Sequence, residues 1–171
     1  MTTYESLKRD KKLYVKRGAE TTQTFASGFG GPWDGIAFTE LSGFGLDEDG
    51  ADNSGGAFNP TTGLFTAPRD GIYEVSMDLI LESAASMAAG TTFSIESRIN
   101  GASIGNSTVL ARFHSLESVI AAGRDINLHG SCTFKLNKDD TLDFIVRGSF
   151  GTGPLSIVGD SRTSWITLRE V

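Results

Sequence analysis

The chain has 171 residues, 39% apolar and 21% charged, enough apolar material for one domain with its own core, which excludes wholesale disorder. No apolar run approaches the roughly 20 residues of a spanning helix, so no membrane insertion is expected, and the single cysteine, Cys132, excludes a disulfide framework within the chain. The net charge of −6 is unevenly spread: Lys8, Arg9, Lys11, Lys12, Lys16 and Arg17 face Glu5, Asp10 and Glu20 in the first twenty residues, 6 − 3 = +3, and the acidic remainder would repel phosphates, so no nucleic-acid partner is expected.

Residues 1–35 read as an arm outside the core domain. Leu13, Tyr14 and Val15 form a small apolar anchor between basic residues, and Phe25 and Phe29 add apolar area for a partner. The stretch Gly28-Phe29-Gly30-Gly31-Pro32 cannot continue a regular element. The arm is expected to attach residues 36–171 to a larger assembly and to contribute little to their folding. Met1-Thr-Thr-Tyr-Glu lacks the basic start and apolar stretch of a secretory leader, which argues for synthesis in a cytosol. From Leu41 to Gly56 the chain is acidic and Gly-rich, the composition of a surface loop. Calcium takes about 6–8 oxygen ligands, and no Glu closes the spacing here as the helix–loop–helix site requires. A solvated loop is therefore the main reading, and a calcium site at Asp47, Asp49 and Asp52 the alternative.

The next segment, Phe58 to Tyr73, is turn chemistry between strands. Gly63 suits a turn position with positive φ, Pro68 ends a strand because it lacks an N–H, and Asp70-Gly71 reverses the chain. Phe65 and Tyr73 bury large area where two strands meet. Tyr73, Val75, Met77, Leu79 and Leu81 then alternate with polar residues, the pattern of a long strand with one face buried. Phe93, Ile95 and Ile99 alternate likewise and lead into Asn100-Gly101, a tight-turn dipeptide. Cys132, Phe134 and Leu136, the turn Asn137-Lys138-Asp139-Asp140, and Leu142, Phe144 and Val146 read as a late hairpin. Trp165 to Leu168 is a closing strand. Leu81–Ala89 and Ser115–Ala122 show no amphipathic face and read as connections. Strands at short spacing without crossover helices indicate an antiparallel sandwich or barrel. Ile80, Ile145 and Ile166 fall opposite the alternating core sets, so an exposed, partly apolar outer surface is expected.

With its order of elements, the segment Phe58-Asn59-Pro60-Thr61-Thr62-Gly63-Leu64-Phe65-Thr66-Ala67-Pro68-Arg69-Asp70-Gly71-Ile72-Tyr73 resembles the complement component 1q globular head, whose jelly roll is shared with tumour necrosis factor. The resemblance spans about residues 36–171. Phe58, Asn59, Gly63, Phe65, Pro68, Gly71 and Tyr73 carry it as architecture rather than chemistry. The chain departs from the pattern where Asn137-Lys138-Asp139-Asp140 replaces the usual Lys-x-Gly-Asp turn, where Val75 replaces an aromatic, and in the last strand, which lacks the usual Gly. The resemblance implies an all-β antiparallel jelly-roll sandwich and a homotrimer; some family members bind calcium near the trimer apex.

Tests for catalytic constellations fail. Gly159-Asp160-Ser161 resembles one esterase nucleophile block, yet no His follows His129. No Gly-x-Ser-x-Gly elbow and no phosphate-binding Gly loop occurs. His129 and Cys132 are three apart, which on a strand places them on opposite faces, and Asp139-Asp140 reads as a solvated turn pair. Neither an enzyme nor a cofactor is expected. The expectation is a homotrimeric structural and display module on a bacteriophage virion, a capsid decoration (cement) protein or fibre domain held to a capsid or tail by the arm. The alternative is an extracellular or cell-surface module of the same fold that binds a glycan or protein.

Overall fold

The structure is a computed structural model, and it describes residues 13–19, 22–25, 34–35, 39–40, 55–59, 61–83, 86, 92–101, 108–114, 121–149, 155–159 and 164–171. The regular elements among these are strands, packed as two antiparallel sheets. The first sheet is organised by β7 (Gly71–Ser83). β10 (Asp125–Leu136) pairs with β7 along nearly its whole length, from Asp125↔Glu82 to Leu136↔Gly71. On the other side of β7 lie β13 (Trp165–Glu170) along its first half and β12 (Leu155–Ile157) near its end. β13 in turn pairs with β1 (Tyr14–Gly18), β1 with β4 (Thr39–Glu40), and β12 with β2 (Gln23–Phe25). The second sheet runs β5 (Phe58–Asn59), β6 (Leu64–Thr66), β11 (Thr141–Ser149), β8 (Thr92–Ile99) and β9 (Thr108–His114), with β3 (Asp34–Gly35) also on β11.

Alternation explains which residues meet between the sheets. Along β7 the side chains of Tyr73, Val75, Met77, Leu79 and Leu81 are all buried, every second residue, as a strand with one face on the core requires. Ile126, Leu128, Phe134 and Leu136 of β10 continue this layer, and Phe65, Ile95, Leu142, Phe144 and Val146 close it from the opposite sheet. The expected core set is met at Phe65, Tyr73, Val75, Met77, Ile95, Phe134, Leu142 and Phe144; the side chain of Phe93 lies outside the described residues.

The family-like segment builds one end of the sandwich. The Asn59 side chain accepts from the amides of Thr61 and Thr62 at 3.0 and 3.3 Å, and the Gly63 amide donates to the Asn59 carbonyl at 2.8 Å. Gly63 has φ 67°, a conformation costly for a residue with a Cβ. This turn pairs Phe58 with Phe65. Phe65 packs against Tyr73 with ring centroids 5.3 Å apart, and the Tyr73 hydroxyl donates to the Arg69 carbonyl at 2.8 Å. A Cβ on Gly71 would stand 3.3 Å from the Tyr73 ring, so a side chain there would press on the tyrosine.

Three expectations need correction. Among the described residues of the expected arm, 13–19 and 23–25 belong to the sandwich: β1 is an internal strand between β13 and β4, with Leu13 and Val15 buried in the core, and β2 pairs with β12. Its short apolar run, Leu13-Tyr14-Val15, is a strand's alternation too brief to be told from a surface anchor by pattern. The turn Asn137–Asp140 is not a hairpin, because β10 belongs to the first sheet and β11 to the second; it is a corner crossing the sandwich, with Asp139 at φ 70°. Sequence periodicity is the same on both sides of a corner and of a hairpin, so only the pairing separates them. Finally, Ile166 faces the core and Ile145 is fully buried. Pairing of Ile166 with Met77 and Leu168 with Val75 sets the phase of β13 and turns Trp165 outward, the flip that a one-residue change of phase produces.

Candidate functional site

Both outer faces of the sandwich were candidates for interaction, and they differ. On the second sheet, Ser94, Glu96 and Ile145 point away from the core yet are buried. The Ser94 hydroxyl lies 3.0 Å from Glu96 Oε1, and Arg98 grips the carboxylate of its cross-strand partner Asp143 through two nitrogens, Nε at 3.0 Å. That carboxylate holds the Arg98 guanidinium above its ordinary pKa, against a smaller opposing effect of burial.

The outer face of the first sheet is open. Its central strands present Glu74, Ser76, Asp78 and Ile80 from β7 and Trp165 and Thr167 from β13, all half-buried. Tyr14 and Lys16 of β1 extend the face on one side, and Asn127, His129, Ser131 and Thr133 of β10 on the other. At the end of this face Ile72 is 49% and Val171 59% exposed, and the Val171 amide donates to the Ile72 carbonyl. Arg169 holds Glu74 at 2.7 and 3.1 Å, and Arg69 holds Glu170 with Nε at 2.7 Å. Burial, then the Glu170 carboxylate, push the Tyr73 hydroxyl above its ordinary pKa.

Across the middle of the open face runs a row set by register: His129 of β10 opposite Asp78 of β7, itself opposite Trp165 of β13. His129 Nδ1 is 3.8 Å from Asp78 Oδ2, and the imidazole stands edge-on to Trp165 with ring centroids 6.4 Å apart. In the sequence His129 stands out only beside Cys132. These two do lie on opposite faces, His129 62% exposed and Cys132 packed half-buried against the core.

The other singled-out residues are dispersed. Leu13 and Val15 serve the core, Tyr14 lies on the open face, and Phe25 contributes backbone to β2 opposite Leu155; the Phe25 side chain and Phe29 lie outside the described residues. So do Asp47, Asp49 and Asp52, and among the described residues no group of three or more His, Cys, Asp or Glu could hold a metal ion. Asp140 closes the corner by accepting from Asn100 Nδ2 and from the Asn137 amide, both at 2.7 Å, and these bonds, Asn100 first, hold its carboxyl below the ordinary range. Asp70 accepts from the Lys138 amide at 2.6 Å. These turn carboxylates are structural acceptors. Among the described residues no helix is long and apolar enough to cross a membrane.

Two twisted antiparallel sheets, cross-connected at tight corners around one apolar layer, define a jelly roll, and comparison with solved structures specifies which kind. The chain is similar to the tumour necrosis factor Eiger from S. frugiperda (TM-score 0.58, 12% identity, 94% of this chain and 92% of that one). It is also similar to murine APRIL (0.54, 9%, 94% and 100%) and to the globular domain of zebrafish complement 1qA (0.50, 12%, 92% and 94%). The likeness covers nearly the whole of each chain and establishes the tumour-necrosis-factor and complement-1q type of jelly roll as the fold. No protein-family model and no curated protein matches the sequence.

Proposed function

We propose that this chain is a non-enzymatic module that closes into a homotrimer through the open face of its first sheet, with residues 1–12 tethering the trimer to a larger protein assembly. The observation that carries the reading is the contrast between the two outer faces. Modules of this fold are in general homotrimeric, and a trimer needs one broad surface to bury. Ser94, Glu96 and Ile145 on the second sheet are already covered, whereas Trp165, Ile80 and Tyr14 on the first sheet stay half-exposed and Ile72 and Val171 lie open. Half-exposed aromatic and aliphatic side chains among polar ones are the composition of an association surface.

The tether is confined to residues 1–12, where Lys8, Arg9, Lys11 and Lys12 outweigh Glu5 and Asp10. The assembly is proposed to be a bacteriophage capsid or tail, with the protein made in the host cytoplasm and carried on the virion. Sedimentation velocity tests the trimer: the expected mass is three times 18.2 kDa, and Trp165→Glu should yield a folded monomer with unchanged strand signal. A wild-type monomer at micromolar concentration overturns the reading. Co-sedimentation with purified capsids or tails tests the tether: deletion of residues 1–12 should abolish binding and leave the trimer intact. Deletion through residue 30 should instead disrupt the domain, because it removes β1 and β2 from the first sheet.

A further inference from the structure

The turn dipeptide Asn100-Gly101 serves neither the core nor the open face, and no other asparagine in the chain precedes a glycine. The pair carries a chemistry of its own. When the Gly101 nitrogen attacks Cγ of Asn100, an N–Cγ bond forms and the Cγ–Nδ2 bond breaks. Nδ2 leaves as ammonia with the proton shed by the Gly101 nitrogen. Water then opens the cyclic imide. Addition at Cγ leaves aspartate; addition at the main-chain carbonyl carbon leaves isoaspartate, whose backbone runs through Cγ and is longer by that carbon. Glycine favours the attack because it has no Cβ to obstruct a close approach. The surroundings add no obstruction: a Cβ built on Gly101 would meet nothing within 4 Å, and both residues are exposed.

The fold holds the asparagine away from this reaction. Asn100 and Gly101 stand at φ 55° and 61°, the paired positive values of a tight reversal. Both ends of the Asn100 carboxamide are tied to the start of β11: Nδ2 donates to Asp140 Oδ1 at 2.7 Å, and Oδ1 accepts from the Thr141 amide at 2.8 Å. The backbone is tied as well, the Asn100 amide donating to the Thr141 carbonyl at 2.9 Å. Asp140 is itself fixed, its Oδ2 accepting from the Asn137 amide at 2.7 Å. Cγ therefore cannot swing toward the Gly101 nitrogen without breaking both side-chain bonds. We propose that Asn100-Gly101 is a latent deamidation site, kept unreacted by the clamp of Asp140 and Thr141 and released when the end of β8 parts from them. Once formed, the product cannot restore the clamp. An ionised carboxylate only accepts, so two carboxylate oxygens would face each other where the 2.7 Å bond stood. Isoaspartate also lengthens the turn that follows the Leu142↔Ile99 pair. The modification is thus a one-way record of that opening.

Peptide mapping by mass spectrometry, with isoaspartate detected by enzymatic methylation, follows the reaction in the full chain in mildly alkaline buffer. Folded wild type should deamidate at Asn100 at least about tenfold more slowly than the same chain in urea, because a locally opened state is a minority of about 10% or less. Asp140→Ala, with an unchanged strand signal in circular dichroism, should deamidate faster than wild type when folded and at the wild-type rate in urea. Where the alanine variant does not fold, Asp140→Ser takes its place, since a hydroxyl can still accept from the Asn137 amide. Asn100→Asp supplies the product side chain directly and should unfold at a lower urea concentration than wild type. No reaction at Asn100 in urea overturns the site, and equal rates in the folded and unfolded chain overturn its protection by the fold. A folded Asp140 variant that keeps the wild-type rate overturns the clamp. An Asn100→Asp chain as resistant to urea as wild type overturns the one-way character.

Discussion

The two outer faces of this sandwich have the same local pattern and opposite fates. Ile80 on β7 and Ile145 on β11 both occupy positions that alternate away from the core. Ile80 remains half-exposed, while Ile145 is fully buried, level with its buried cross-strand partner Glu96. Alternation states which residues point away from the inner layer; it is silent on whether a second layer covers them. Among the described residues, Ser94, Glu96 and Ile145 are buried within the single chain, whereas Ile80, Trp165 and Tyr14 stay half-exposed.

Substitutions test this contrast directly. The largest effect belongs to the layer common to both sheets: Phe134→Ala on buried β10 should cost about 3–5 kcal/mol in urea unfolding, and a loss below about 1 kcal/mol would place Phe134 on the wrong face. The direct comparison comes next. Ile145→Ala should cost about 2–5 kcal/mol although it faces outward, and Ile80→Ala less than about 1 kcal/mol in the monomer. Equal losses at the two positions would erase the distinction between the faces. The smallest effect concerns the corner between the sheets. The Asp140 carboxyl is held below its ordinary range, so its contribution is present above about pH 4, where the unfolded carboxyl ionises, and is lost as pH falls through its folded pKa. Asp140→Asn should therefore lower stability slightly in the neutral region and flatten the acid limb, so that the variant and the wild type converge as pH falls.

Tyr73 titrates with the opposite sign. Its hydroxyl is pushed up by burial and then by Glu170, so above about pH 10 the unfolded chain ionises first and stability falls with rising pH. The corner and the tyrosine anchor thus limit the sandwich from the two ends of the pH scale.

Short-range chemistry is legible along the chain without the fold. The period of two along Tyr73–Leu81, the turn residues Asn59, Gly63 and Gly71, and the aromatic pair Phe65 and Tyr73 specify strands, turns and a buried layer, and together they resemble one jelly-roll type strongly enough to anticipate the fold. Leu13 and Val15 were out of reach because three apolar residues among lysines look the same in a surface anchor and in an internal strand; membership in the sheet depends on β13, some 150 residues away in the chain. The corner at Asn137–Asp140 was misread because a turn's residues report its tightness, not the sheet its second strand joins. The row His129–Asp78–Trp165 was invisible for the same reason. Its members are drawn from three strands, and they meet only because two long-range registers, β10 on β7 and β7 on β13, bring them level on one face. Register between distant strands is settled by the burial of whole apolar faces at once, a property of the assembled sandwich that no local stretch of the chain contains.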